Sequence, residues 1–124
     1  MLRIHRGTVS RAWPAHNFAM SAVVHGGGRL AIVLNHGQRV DVRTDGRTVA
    51  LAQGGRVVAR LRLRGARALR LDVRVGRAFA GYAQPPRGGW RPVGVPIVAP
   101  PGTALDRVEL GPGAFGEVVL RPLG

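Results

Sequence analysis

The sequence predicts an all-β protein, a two-sheet antiparallel β-sandwich formed as a single domain over residues 1–124. Three observations lead there. Apolar and polar residues alternate with a period of two through most of the chain, the pattern of strands with one face in a core and one in solvent. The 19 glycines and 9 prolines fall between these runs without any Gly-X-Y period, so they read as turns. No window carries the 3.6-residue periodicity of an amphipathic helix. With 45% hydrophobic residues, the chain has enough apolar side chains for a modest core.

Taken in order, Leu2 and Ile4 alternate with Arg3 and His5, giving a first strand over residues 2–6 whose basic side chains suit a sheet edge. Trp13-Pro14 ends whatever precedes it, because the residue before proline is pushed to extended geometry. Residues 18–24 then place Phe18, Met20, Ala22 and Val24 on one face. Gly26-Gly27-Gly28 separates this run from a second apolar run over residues 29–35, and two runs around a glycine tip predict a hairpin. Residues 39–43 alternate cleanly, Thr44-Asp45-Gly46 supplies a turn, and residues 47–53 return. After Gly54-Gly55, the apolar side chains Val57, Ala59, Leu61 and Leu63 oppose Val58, Arg60, Arg62 and Arg64, so one face is apolar and the other largely basic.

Leu69, Leu71, Val73 and Val75 next alternate with Arg70, Asp72 and Arg74 up to Gly76, and residues 78–84 carry Phe79 and Tyr82. The length of the Gly76 turn sets the register of this hairpin. A three-residue turn puts Phe79 with Leu71 and Val73 and sends Tyr82 outside with Arg70 and Asp72; a two-residue turn reverses the faces. The first is expected, since it buries Phe and exposes the phenol. Pro85, Pro86, Pro92, Pro96, Pro100 and Pro101 leave room for only short edge-like pieces in residues 85–102. Residues 105–110 and 115–120 close the chain on either side of Gly111-Pro112-Gly113. The count is about nine or ten strands.

The formal net charge is +13, and all 19 basic residues are arginine. Such a charge suits nucleic acid or an anionic surface as partner. Together with abundant Ala, Gly, Pro and Val it is also the product of GC-rich coding, with arginine decorating solvent-facing strand positions. The absence of cysteine excludes disulfides, thiolate chemistry and Cys-based zinc sites. The longest uninterrupted apolar run, residues 30–34, is far short of the ~20 residues of a membrane-spanning helix, so no membrane span is expected. The opening residues lack the apolar centre of a secretory signal, which makes the cytoplasm the default compartment.

No catalytic constellation stands out. The acids Asp41, Asp45, Asp72, Asp106, Glu109 and Glu117 read as local charge balance, chiefly against Arg39, Arg43, Arg70 and Arg74. His5, His16, His25 and His36 lie on separate segments without metal-ligand spacing; His25 and His36 flank the glycine-tipped hairpin and could approach one another across it, but neither a third ligand nor a supporting acid is indicated. Ser10 and Ser21 lack a nucleophile elbow, and Gly26-Gly27-Gly28 lacks the Lys-Ser/Thr of a phosphate loop. No enzyme, metal or cofactor is therefore expected. Binding has better material. Trp13, Trp90 and Tyr82 are rings that stack on a sugar or base, or in the case of the two Trp fill a small core, while Arg70, Arg74, Arg87 and Arg91 donate to hydroxyls or phosphates.

The succession ALRLDVRVGRAFAGYAQ followed by GGWRPVG, the earlier NFAMSAVVHGGGRLAIVL and the closing AFGEVVLRPL resemble concanavalin A-like (jelly-roll, laminin G-like) sandwiches. The resemblance is nearest to the accessory C-terminal domains of family 43 glycoside hydrolases of the β-xylosidase type, and it covers most of residues 17–122. This chain is shorter than those domains, which implies a small or truncated jelly roll, and Arg87-Gly88-Gly89 stands where an Asp-Gly usually precedes the Trp. The resemblance implies a non-catalytic module, carbohydrate-binding or accessory to a glycoside hydrolase partner, with Tyr82, Trp90, Arg70 and Arg74 as its contacts. Two other readings compete with it. One is a nucleic-acid or polyanion binder using a face formed by Arg60, Arg62, Arg64, Arg70 and Arg74; the other is a structural or assembly module without a small ligand.

Overall fold

The computed structural model describes residues 2–4, 9–11 and 17–123. Among them the strands are β1 (Leu2–Ile4), β2 (Val9–Arg11), β3 (Asn17–Val24), β4 (Gly28–Leu34), β5 (Arg39–Thr44), β6 (Thr48–Gln53) and β7 (Arg56–Arg62). The second half supplies β8 (Ala68–Arg74), β9 (Ala78–Gln84), β10 (Arg91–Pro92), β11 (Ile97–Val98), β12 (Leu105–Leu110) and β13 (Gly113–Pro122). There is no helix among the described residues, in keeping with the period-two pattern. The excess over the nine or ten expected strands lies in pieces of two or three residues, β2, β10 and β11, too short to leave a pattern in sequence.

The strands form two antiparallel sheets. Seven-stranded sheet A runs β1-β13-β3-β8-β9-β10, with β11 also on β9, and six-stranded sheet B runs β2-β12-β4-β5-β6-β7. The inward side chains of both sheets interdigitate in one core. Phe18, Met20, Leu69, Leu71, Val73, Phe79 and Phe115 come from sheet A, and Leu30, Ile32, Leu34, Val40, Val42, Val49 and Leu51 from sheet B. The architecture is thus an all-β sandwich, as expected, and its order is compatible with a jelly roll. Among the described residues β1 lies at a sheet edge, paired with β13 alone, while residues 5 and 6 of the expected first strand and Trp13-Pro14 lie outside the described residues.

One predicted hairpin is not a hairpin. β3 pairs with β13 and β8 in sheet A, whereas β4 pairs with β12 and β5 in sheet B, so Gly26-Gly27-Gly28 carries the chain from one sheet to the other. Glycine is needed there for close approach: a Cβ on Gly28 would stand 2.9 Å from Cε1 of Phe115, in the core between the sheets. Alternation alone cannot separate a hairpin from a corner, since both need two strands and a glycine turn. His25 and His36 accordingly stand at opposite ends of β4 and do not face each other across a hairpin.

The Asp-Gly hairpin, β5 to β6, forms as expected. Asp45 Oδ1 accepts the backbone N–H of both Arg47 and Thr48 at 2.8 Å, an Asx-type turn that holds its carboxyl below the usual range. In β7 the expected basic face is present, but Val57 leaves the apolar one. The register shifts between Leu51↔Ala59 and Ala52↔Val57, and this bulge at Val58 moves Val57 to the outer surface. The β8–β9 hairpin pairs Arg74 with Ala78, so its loop is the three residues Val75, Gly76 and Arg77. Gly76 adopts φ +82°, a conformation that costs other residues more. Phe79 therefore falls opposite Val73 in the core and Tyr82 opposite Arg70 outside.

Candidate functional site

The register of the central strands of sheet A lays a line of side chains across its outer face: Val119 opposite Ser21, Ser21 opposite Arg70, Arg70 opposite Tyr82, and Tyr82 opposite Pro92. One residue position further along the face, two residues away on β8, is Asp72. Its carboxylate takes two hydrogen bonds from Arg70, one from Nε at 2.5 Å and one from Nη2 at 2.9 Å. The Arg70 side chain is 22% exposed and that of Asp72 14%, so the pair is recessed into the sheet surface without being sealed from water. This is the charge balance expected for Asp72.

Trp90 reaches the same place by a different route. The chain leaves β9 at Gln84, whose Nε2 donates to the Gly88 carbonyl at 3.5 Å, and returns to β9 where the N–H of Val93 donates to the Gly81 carbonyl at 2.9 Å. The intervening loop brings the indole back over sheet A. The Arg70 guanidinium carbon then lies 5.3 Å from the Tyr82 ring centroid and 6.0 Å from the Trp90 centroid, within cation–π range of both. Trp90 is 36% exposed and is not a core residue. Beside it opens a cavity of about 290 Å³ floored by Ser21, Val23 and Ala68, with Gln84, Glu117 and Val119 on its walls.

Three of the four residues expected in a carbohydrate site, Arg70, Tyr82 and Trp90, are thus brought together. Arg74 shares their face but sits opposite Asn17 and Ala78, four residues and roughly 13 Å along the strand from Arg70. Trp13 lies outside the described residues, and Arg87 and Arg91 are exposed near Trp90. Sequence reasoning missed the cavity wall from β13. The β13–β3 register shifts between Gly116 and Val119, and Glu117 takes a positive φ of 38°, an irregularity that no residue pattern announced. Alternation did contain Ser21 and Val23, once β3 was known to adjoin β8.

The second arginine set does not form one face. Arg60 and Arg62 lie on β7 of sheet B and Arg64 just beyond it, while Arg70 and Arg74 lie on β8 of sheet A. The outer face of sheet B also carries two buried acids, Asp41 and Glu109, 3% and 2% exposed. Glu109 accepts hydrogen bonds from Arg39 Nε at 2.8 Å and Arg107 Nε at 3.2 Å, and those partners hold its carboxyl below the ordinary value. Asp41 has Arg43 at 3.8 Å and an Oδ2 without a hydrogen bond, and burial pushes its carboxyl up. They are split by Ala31, which pairs with both.

Among the described residues no three His, Cys, Asp or Glu side chains gather to hold a metal ion, and no helix is long and apolar enough to cross a membrane. No protein-family model and no curated protein matches this chain. What is shown of its relationships is therefore architectural: an all-β antiparallel two-sheet sandwich compatible with a jelly roll.

Proposed function

We propose that the outer face of sheet A binds a neutral glycan, as a non-catalytic module of the kind that accompanies glycoside hydrolases. The observation that carries this reading is Arg70, held on Asp72 and lying against both Tyr82 and Trp90, the second of which also lines a cavity of about 290 Å³. A guanidinium has five N–H donors. Two are occupied by Asp72, which also cancels the charge, and three remain to donate to sugar hydroxyls. The rings supply flat apolar surface for the C–H face of a pyranose, and the Tyr82 hydroxyl, Gln84 and Ser21 add polar contacts of either sense. The likeness of residues 17–122 to accessory domains of family 43 glycoside hydrolases points the same way, toward a xylan-type ligand and a role in keeping a hydrolase on its substrate.

The reading is tested by calorimetric titration with xylohexaose, cellohexaose and mannohexaose at low and high salt. Binding of at least one is expected, with little salt dependence, and Tyr82→Ala should weaken it by about tenfold or more, the order of one lost stacking contact with its hydrogen bond. Three blank titrations, or an unchanged affinity in a folded Tyr82→Ala variant, would refute it.

A further inference from the structure

A second surface lies on the opposite sheet and is independent of the glycan face. β7 is the edge of sheet B, and its outward positions Arg60 and Arg62 stand opposite Ala50 and Thr48. Two shallow cavities of about 310 Å³ each adjoin there and share Thr48. One lies between Arg43 and Arg60 over the floor of Ala50; the other is enclosed by Arg47, Arg62 and Arg64. Five arginines thus line one continuous strip. Arg47, Arg60, Arg62 and Arg64 are exposed and make no ion pair among the described residues, whereas Arg70 on the other sheet is neutralised. Two acids adjoin the strip: Asp41, whose Oδ2 is 3.8 Å from Nε of Arg43, and Asp45, whose Oδ1 is committed to the turn N–H groups of Arg47 and Thr48.

Unpaired guanidinium groups on a stiff sheet edge present planar donor forks at fixed spacing. Arg60 and Arg62 are two residues apart on an extended strand, so their Cα atoms are roughly 6.6 Å apart and their side chains share a face. Such forks match carboxylate, sulfate or phosphate oxygens in bidentate fashion. The described aromatic side chains are elsewhere: Phe18, Phe79 and Phe115 are buried in the core, and Tyr82 and Trp90 belong to sheet A. The strip therefore offers charge without a stacking platform for bases, which is what single-stranded nucleic acid requires.

We infer that the Arg43–Arg47–Arg60–Arg62–Arg64 strip is a docking surface for an acidic polysaccharide, its two cavities taking successive carboxylated or sulfated sugar units. The intact protein is to be titrated with polygalacturonate, dextran sulfate, neutral dextran and a 20-base-pair DNA duplex over a series of salt concentrations. Binding to at least one of the two acidic polysaccharides is expected, weakening as salt rises, whereas any binding of neutral dextran by the sheet A face should not change with salt. The two polymers distinguish carboxylate from sulfate as the preferred group. Arg60→Gln/Arg62→Gln should lower the affinity by roughly tenfold or more at low salt and flatten the dependence of log affinity on log salt by about two contacts' worth. Arg60→Lys/Arg62→Lys, which keeps edge charge and guards against association of an uncharged edge, should preserve the salt slope but lose affinity through the missing forks. Tyr82→Ala should leave acidic-polymer binding unchanged. The inference is overturned if neither acidic polymer binds, if the Gln pair binds as the parent does, or if the DNA duplex binds more tightly than both polymers.

Discussion

Asp72→Asn tests the arrangement on which the glycan face depends, because it removes one charge and one acceptor while changing the side-chain volume very little. In the parent, Asp72 Oδ1 and Oδ2 receive Arg70 Nε and Nη2 at 2.5 and 2.9 Å. Asparagine can replace only one of these acceptors, and its amide N–H groups face another donor. Charge-assisted hydrogen bonds contribute about 1.5–3 kcal/mol when well shielded, while fully exposed ion pairs contribute under about 1. With side chains 22% and 14% exposed, this pair falls between those limits. A loss of roughly 1.5 kcal/mol is expected, equivalent to about 5 °C in Tm for a chain of this size.

The measurement is denaturant unfolding of the parent, Asp72→Asn, Arg70→Met and the double variant, which form a thermodynamic cycle. A coupling energy of about 1 kcal/mol is expected between the two positions. In Asp72→Asn, Arg70 loses its anchor between the rings, so affinity for the oligosaccharide bound by the parent should fall about five- to tenfold, or roughly 1–1.4 kcal/mol. Asp72→Asn should also introduce attraction for acidic sugars on sheet A, since Arg70 would no longer be neutralised. Additivity within about 0.3 kcal/mol together with unchanged oligosaccharide affinity would refute the idea that Asp72 organises Arg70.

Two further predictions concern the buried acids of sheet B and have opposite signs. Glu109 has its folded-state pKa lowered by Arg39 and Arg107, so its contribution is present above its unfolded value and lost as pH falls through the folded one. Glu109→Gln should therefore destabilise by about 1–2 kcal/mol at pH 7, reduced from a fully buried pair because Arg39 and Arg107 remain partly hydrated, and the difference should vanish in acid. Denaturant midpoints at a series of pH values check this, and a difference independent of pH would contradict it. Asp41 has its folded pKa raised by desolvation, with Arg43 only partly offsetting it, so its ionised form costs stability above that pKa and the cost disappears as pH falls. Asp41→Asn should raise stability at pH 7 by on the order of 0.5–1 kcal/mol and confer no advantage in acid; a loss of stability at neutral pH would show that the Arg43 contact outweighs burial.

Much of the fold was legible because the strand period is a property of the backbone itself. Side chains alternate in any extended run, so Leu69, Leu71 and Val73 announced a core face, and the choice of Phe79 over Tyr82 for burial followed from transfer preference alone. Even the three-residue loop at Gly76 could be anticipated, since a one-residue slip would bury the phenol and expose Phe79. Local chemistry also sufficed for the Asx turn at Asp45 and for the pairing of Asp72 with Arg70, two residues apart on one strand.

Information about which strands become neighbours is not local, and there the sequence was silent or misleading. Gly26-Gly27-Gly28 has the composition of a hairpin tip, but the close approach of Phe115 to Gly28 makes it a corner between sheets. The β7-to-β8 passage likewise divides arginines that adjoin in sequence, leaving Arg60, Arg62 and Arg64 by sheet B and Arg70 and Arg74 on sheet A. Trp90 meets Tyr82 and Arg70 because a loop of six residues returns to β9, and β13 completes the cavity wall from the far end of the chain through the bulge at Glu117. Residue patterning sets which side chains face the core because periodicity acts within a strand. The composition of a site on a sheet surface depends on strand order and register, which are settled by packing of the two layers as a whole.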